Sequence, residues 1–221
     1  MRTKILMLLA LFSVLQTLSA QKLKETGRSI AELLPEGWTY TEAWGDIYPD
    51  GRDDLAMIVL PNNKDKITVR DDGYEYNFNQ PLVAIYYMSE EGDLIQREVF
   101  DHLVPARETE YTSIDSSISI NKKGAIVIGL SYFSSAGSYG ASNYSYVFRY
   151  QNDDFYLIGE EEESHSRSTG EGEKISINYL THKQCHSTFN VFSDSNQKPT
   201  ERWSKLPVTL LKKMDSLTLG D

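Results

Sequence analysis

The chain carries a single cysteine, Cys185, in 221 residues. No disulfide can form within it, so its stability has to come from a buried core. Basic residues are also scarce: 22 Lys and Arg stand against 32 Asp and Glu, a formal charge of −10. An anionic chain repels phosphate, which argues against nucleic acid and anionic lipid surfaces as partners. No apolar run approaches the roughly 20 residues that cross a bilayer. The longest, 5–15, follows Arg2 and Lys4 and precedes the small pair Ser19-Ala20, the layout of a signal peptide over residues 1–20. Gln21 stands where a lipoprotein signal has cysteine. The expectation is a chain that is secreted or periplasmic, without a membrane anchor, whose residues 21–221 form one β-rich domain.

Aromatic residues are plentiful, with 14 Tyr, 8 Phe and 3 Trp. From residue 38 onward, runs of β-branched and aromatic residues alternate with polar turn clusters. This predicts strands at 38–44, 55–60, 82–88, 94–100, 116–120, 125–133, 143–150, 155–161, 174–180 and 187–192. Polar turns at 89–93, 121–124, 151–154 and 181–184 join them as antiparallel hairpins. The runs 82–87 and 125–130 are almost wholly apolar, the pattern of strands buried on both faces. Between 60 and 82 lies an insertion with its own turn, Arg70-Asp71-Asp72-Gly73. Short helices are predicted near both ends. Ser29 and Glu32 make a capping box before Ile30, Leu33 and Leu34, and Val208, Leu210, Leu211, Met214 and Leu217 follow Pro207 at helical spacing. The fold class is therefore mainly β, an antiparallel meander.

The chemical lead is the acidic loop 46–54, which runs directly into the apolar run 55–60. Calcium takes six to eight oxygens, and a loop with carboxylates at alternate positions and a glycine at its bend can wrap around it. Asp46, Asp50 and Asp54 supply carboxylates at positions one, five and nine, Arg52 a carbonyl at seven, and Gly51 the bend at six. On these residues the loop resembles the calcium loops of FG-GAP or VCBS repeats, found in integrin α-chain propellers and in secreted bacterial proteins. Segment 146–159 resembles small secreted proteins with one such loop. The resemblance implies propeller-blade-like sheets and bound calcium. Tyr48 departs from it, replacing an oxygen ligand at position three and weakening the site. The alternative for the same residues is a tight turn whose carboxylates accept backbone N–H bonds, with no metal.

Other constellations are thinner. His182, Cys185 and His186 flank a predicted hairpin turn, where four residues along a strand reach about 13 Å, too far for one zinc ion. Ala136-Gly137-Ser138-Tyr139-Gly140 lacks the first glycine of a nucleophile elbow. The surrounding Gly/Ser/Tyr-rich stretch has the composition of recognition loops. The acidic run Glu160 to Glu163 reads as a solvated face. The reading that follows is a non-enzymatic extracellular module that binds calcium structurally and engages a protein or glycan. The alternative is a secreted hydrolase of glycans or peptides, with acidic residues or His165 as catalysts.

Overall fold

The computed structural model describes residues 22–193 and 198–220, so the targeting segment read at 1–20 lies outside the described residues. The meander folds into two antiparallel sheets. Five strands, β1 (Thr26–Gly27), β2 (Thr39–Gly45), β3 (Asp54–Leu60), β6 (Leu82–Met88) and β7 (Leu94–Phe100), form one sheet in the order β1-β7-β6-β3-β2. The other takes its seven strands in sequence: β8 (Thr112–Ile120), β9 (Ile126–Ser134), β10 (Gly140–Gln151), β11 (Asp154–Ser166), β12 (Glu171–Asn178), β13 (Lys183–Asn190) and β14 (Thr200–Lys205). A small hairpin, β4 (Ile67–Val69) and β5 (Glu75–Asn77), projects from the insertion. Its neck is tied by Asn77 Nδ2 donating to Pro61 O at 2.9 Å and Asn79 Nδ2 to Asn63 O at 3.1 Å.

The main core lies between the sheets. Ala56, Ile58, Val83 and Ile85 face Ile118, Ile126, Ile128, Leu130, Phe148, Phe155 and Leu157. Alternate residues of β3 and β6 (Leu55, Met57, Val59, Ala84 and Tyr86) face the opposite way and bury against Leu33, Ile30 and the N-terminal segment. The five-stranded sheet is thus covered on both faces, and β3 is buried almost end to end. Tyr86 Oη closes this side by donating to Lys24 O at 2.9 Å. The apolar run 125–130 behaves otherwise. Ile126, Ile128 and Leu130 are buried while Val127 and Gly129 are only partly covered, because among the described residues no layer packs on the outer face of the seven-stranded sheet.

The ends depart from the sequence reading. The N-terminal helix α1 (Ile30–Leu33) is a single turn; Ser29 makes no side-chain cap, and Glu32 accepts instead from Arg28 N–H at 2.9 Å. No helix forms over 208–217 apart from a 3-10 turn at Met214–Ser216. Val208 and Leu210 are 81% and 95% exposed. The segment runs extended because its backbone pairs with its neighbours, which a helix would forgo. Leu157 N–H donates to Lys212 O, and Leu219 N–H to Leu103 O, at 2.9 and 2.8 Å. Met214 and Leu219 are buried, so the segment straps the inner face of the larger sheet.

His102 holds this strap. Its Nδ1 meets Asp101 Oδ1 at 3.1 Å and its Nε2 meets Asp215 O at 2.8 Å. Asp101, then the Asp215 carbonyl, raise its pKa above the ordinary 6.5. A raised histidine stabilises the fold fully below the unfolded value, and that contribution fades as pH climbs through the folded value. The thermal midpoint of the wild type should therefore exceed that of His102→Gln by more at pH 5.5 than at pH 8.5. A gap that stays constant with pH would show that the contact carries no charge.

Candidate functional site

Asp54, the first residue of β3, has no exposed surface, and its carboxylate organises the acidic loop. Ile47 and Tyr48 N–H groups donate to Oδ2, both at 3.0 Å, and Met88 N–H on β6 donates to Oδ1 at 2.9 Å. Burial pushes this carboxyl above the usual range, and the three N–H donors pull it back. Asp46 accepts from Asp50 and Gly51 N–H at 3.1 and 3.2 Å, which closes the bend where Gly51 takes φ +83°. Asp50 accepts from Arg52 N–H at 2.9 Å and pairs with the Arg52 guanidinium. That guanidinium also donates to Met88 O at 2.9 Å and Tyr87 Oη at 2.6 Å, so Arg52 staples the loop to β6 through its side chain.

Tyr48, at the third loop position, points into the protein. Its ring lies 4.5 Å from that of Tyr150, 6.0 Å from Tyr87 and 6.1 Å from Phe155, with the Arg97 guanidinium 5.7 Å away. Burial raises its phenol pKa, and Arg97 opposes the rise. On the opposite flank the 121–124 turn presses so close that a side chain at Gly124 would run into the Asp46 carbonyl. Lys122 and Lys123 border a cavity of about 520 Å³ there together with Asp46 and Asp53.

The four residues read as calcium ligands thus sit in one loop. As arranged, Asp54 accepts three backbone N–H bonds, Asp50 faces a guanidinium, and the third position serves the core. Among the described residues, no group of three or more His, Cys, Asp or Glu side chains is placed to hold a metal ion. This donor set does not fit a divalent cation without rearrangement. The histidine and cysteine group also disperses. Cys185 and His186 point to opposite faces of β13, His186 Nε2 meets Glu173 at 3.2 Å, and His182 sits in the turn at φ +52°.

A cavity of about 770 Å³ lies at the far end of the seven-stranded sheet. Ser142, Ser164, His165, Glu173, Thr188 and Phe189 line it from strands β10 to β13. Ser142, Ser164, Glu173 and Thr188 share one face of the sheet and His165 and Phe189 the other, and among the described residues His165 Nδ1 is buried without a hydrogen-bond partner. Arg167 braces the rim, donating to Ser134 O at 2.7 Å and Ser138 O at 2.9 Å while lying 4.3 Å from the Phe133 ring centre. Tyr139 and Phe192, next in the chain to the lining residues Gly140 and Ser193, are 71% and 65% exposed. Most of the Gly/Ser/Tyr-rich stretch turns out to be β10, leaving only 135–139 as loop. That composition was the one sequence signal for this end of the sheet. The Glu160–Glu163 run is strand as well: Lys174 pairs with Glu161 at 2.6 Å, and Tyr179 Oη donates to Glu160 at 2.7 Å.

Comparison with protein-family models, with characterised proteins and with solved structures returns no match in any of the three. The likeness to FG-GAP loops therefore rests on the residues of the loop and on segment 146–159.

Asp54→Ala leaves three N–H groups, one buried and two partly buried, without an acceptor and should cost about 3 kcal/mol. Asp50→Ala removes a partly exposed pair and should cost at most about 1 kcal/mol; chemical denaturation of both variants measures the difference. Millimolar calcium should leave the wild-type midpoint unchanged from EDTA. A rise of several degrees that Asp50→Ala abolishes would establish the loop as a cation site.

Proposed function

We propose that this chain is an exported, non-catalytic β module that binds a glycan in the cleft at the far end of its seven-stranded sheet. The observation that carries the reading is the cleft itself: a cavity of about 770 Å³ lined mostly by polar residues, with the exposed Tyr139 and Phe192 next in the chain to its lining residues Gly140 and Ser193. Sugars present hydroxyl groups on their edges and apolar C–H faces. Serine, threonine, asparagine and glutamate side chains suit the first, and aromatic rings suit the second. The acidic surface accords with a neutral ligand rather than an anionic one. In this reading loop 46–54 is a structural turn that holds β3 against β6, and export follows from the signal-peptide pattern at 1–20.

A hydrolase is the second reading, because Glu171, Glu173 and His165 all border the cleft, with His165 on the other face of the sheet from the two carboxylates. Both carboxylates are exposed. Neither has the desolvated setting that separates the roles of an acid and a base, which favours binding over cleavage.

Titration of the folded protein with neutral oligosaccharides, followed by amide chemical shifts, should move resonances of β10 to β13 at the cleft and leave β2 and β3 still. Tyr139→Ala and Phe192→Ala should each weaken binding about five- to tenfold with the thermal midpoint unchanged. No shift with any saccharide would sink the glycan reading. New reducing ends in the mixture would replace binding with hydrolysis.

A further inference from the structure

Strand β14 is an edge: β13 pairs with one side, and among the described residues no strand pairs with the other. All six of its residues are exposed, Trp203 at 65%. Residues opposite one another run from Lys183↔Lys205 to Thr188↔Thr200. One step further, Leu206 N–H donates to His182 O at 2.8 Å. In an antiparallel pair, opposite residues alternately exchange both bonds or none. That single bond fixes the parity of the strand. Thr200, Arg202 and Ser204 turn their N–H and C=O groups toward β13, whereas Glu201, Trp203 and Lys205 turn theirs to the open side. Pro199 and Pro207 have the open-side parity too and carry no N–H. The edge therefore offers donors at Glu201, Trp203 and Lys205, and the prolines bracket them.

These three residues also share one face of the sheet, since side chains alternate along a strand. Their order, acid then tryptophan then base, is self-complementary under a twofold axis. We propose that two copies of this chain join edge to edge through β14, with the axis at Trp203. Trp203 of one copy then lies opposite Trp203 of the other. Each Glu201 faces a Lys205, and the three pairs exchange their free N–H···O=C bonds. A slip of two residues either way sets a proline ring against a carbonyl that needs a donor, and puts Trp203 opposite a charged residue. The register is thus selected by both backbone and side chains. Edge strands of soluble proteins ordinarily block such pairing with charge, because like charges meet across the joint. Here the same charges attract, and the contact is isologous, so assembly stops at two. This dimer does not depend on what the cleft binds.

Sedimentation equilibrium should give a monomer–dimer equilibrium for the wild type. Glu201→Lys and Lys205→Glu each turn two attractive cross-strand pairs into two repulsive ones, so each should weaken the dimer about tenfold or more. The double exchange, Glu201→Lys with Lys205→Glu, restores opposite charges and should bring the dissociation constant back to within about threefold of wild type. Recovery in the double variant also separates lost pairing from lost folding. A chain that stays monomeric at all concentrations overturns the proposal. So does a dimer that ignores both single exchanges, or one the double exchange fails to restore.

Discussion

A mismatch of area governs this fold. Five strands cannot cover seven, so the larger sheet extends past the core it shares with the smaller one, and the chain must finish that overhang by other means. Nearest the core, the 212–220 strap does so, with Met214 and Leu219 buried and Gly220 N–H donating to Tyr146 Oη at 3.0 Å. Beyond it the inner face becomes mixed, with Glu160, Gln184 and His186 interleaved with Ile175 and Ile177. Further out, the sheet ends in a cleft at one rim and, among the described residues, in a strand open on one side at its edge. The features that point to binding are the parts of the large sheet that the small sheet leaves bare.

Within the covered region, polarity serves geometry. Asp54 is a carboxylate at the entrance to an apolar strand, a costly place for charge unless hydrogen bonds satisfy it. It receives donors from both sides, two from the loop before β3 and one from β6, and so links a turn to a strand register. Arg52 makes the same connection from the surface. In this loop the carboxylates of Asp46, Asp50 and Asp54 accept from backbone N–H groups of the protein itself.

The strands that sequence reading located best are those with a face to bury and a sharp stop. β6 and β7 match residue for residue, the first preceded by Pro81 and the second separated from it by a Ser-Glu-Glu-Gly-Asp turn. The 187–192 reading slid several residues from the observed β13, since the turn falls at 179–182, where His182 accepts a positive φ that nothing in its identity announces. β14 went unread because Thr-Glu-Arg-Trp-Ser-Lys has no buried face and hence no apolar period. The C-terminal spacing looked helical, but backbone pairing with the sheet outweighed that preference. The acidic loop was legible as a loop; which atoms its carboxylates would bind depended on N–H groups contributed by β6, distant in sequence. The cleft assembles from five strands, β10 to β14, and shows in the sequence only as an excess of serine, glycine and tyrosine.

The small β4–β5 hairpin bears on how this chain can change. β3 and β6 must meet at the centre of the smaller sheet, so everything between them is a loop to be closed. The entropy of closing such a loop grows only with the logarithm of its length, about 0.6 kcal/mol for each doubling. With Asn77 and Asn79 clamping the neck, residues beyond it can be added, removed or exchanged at little expense to the sheet. This is the natural port for grafting a foreign segment onto the molecule.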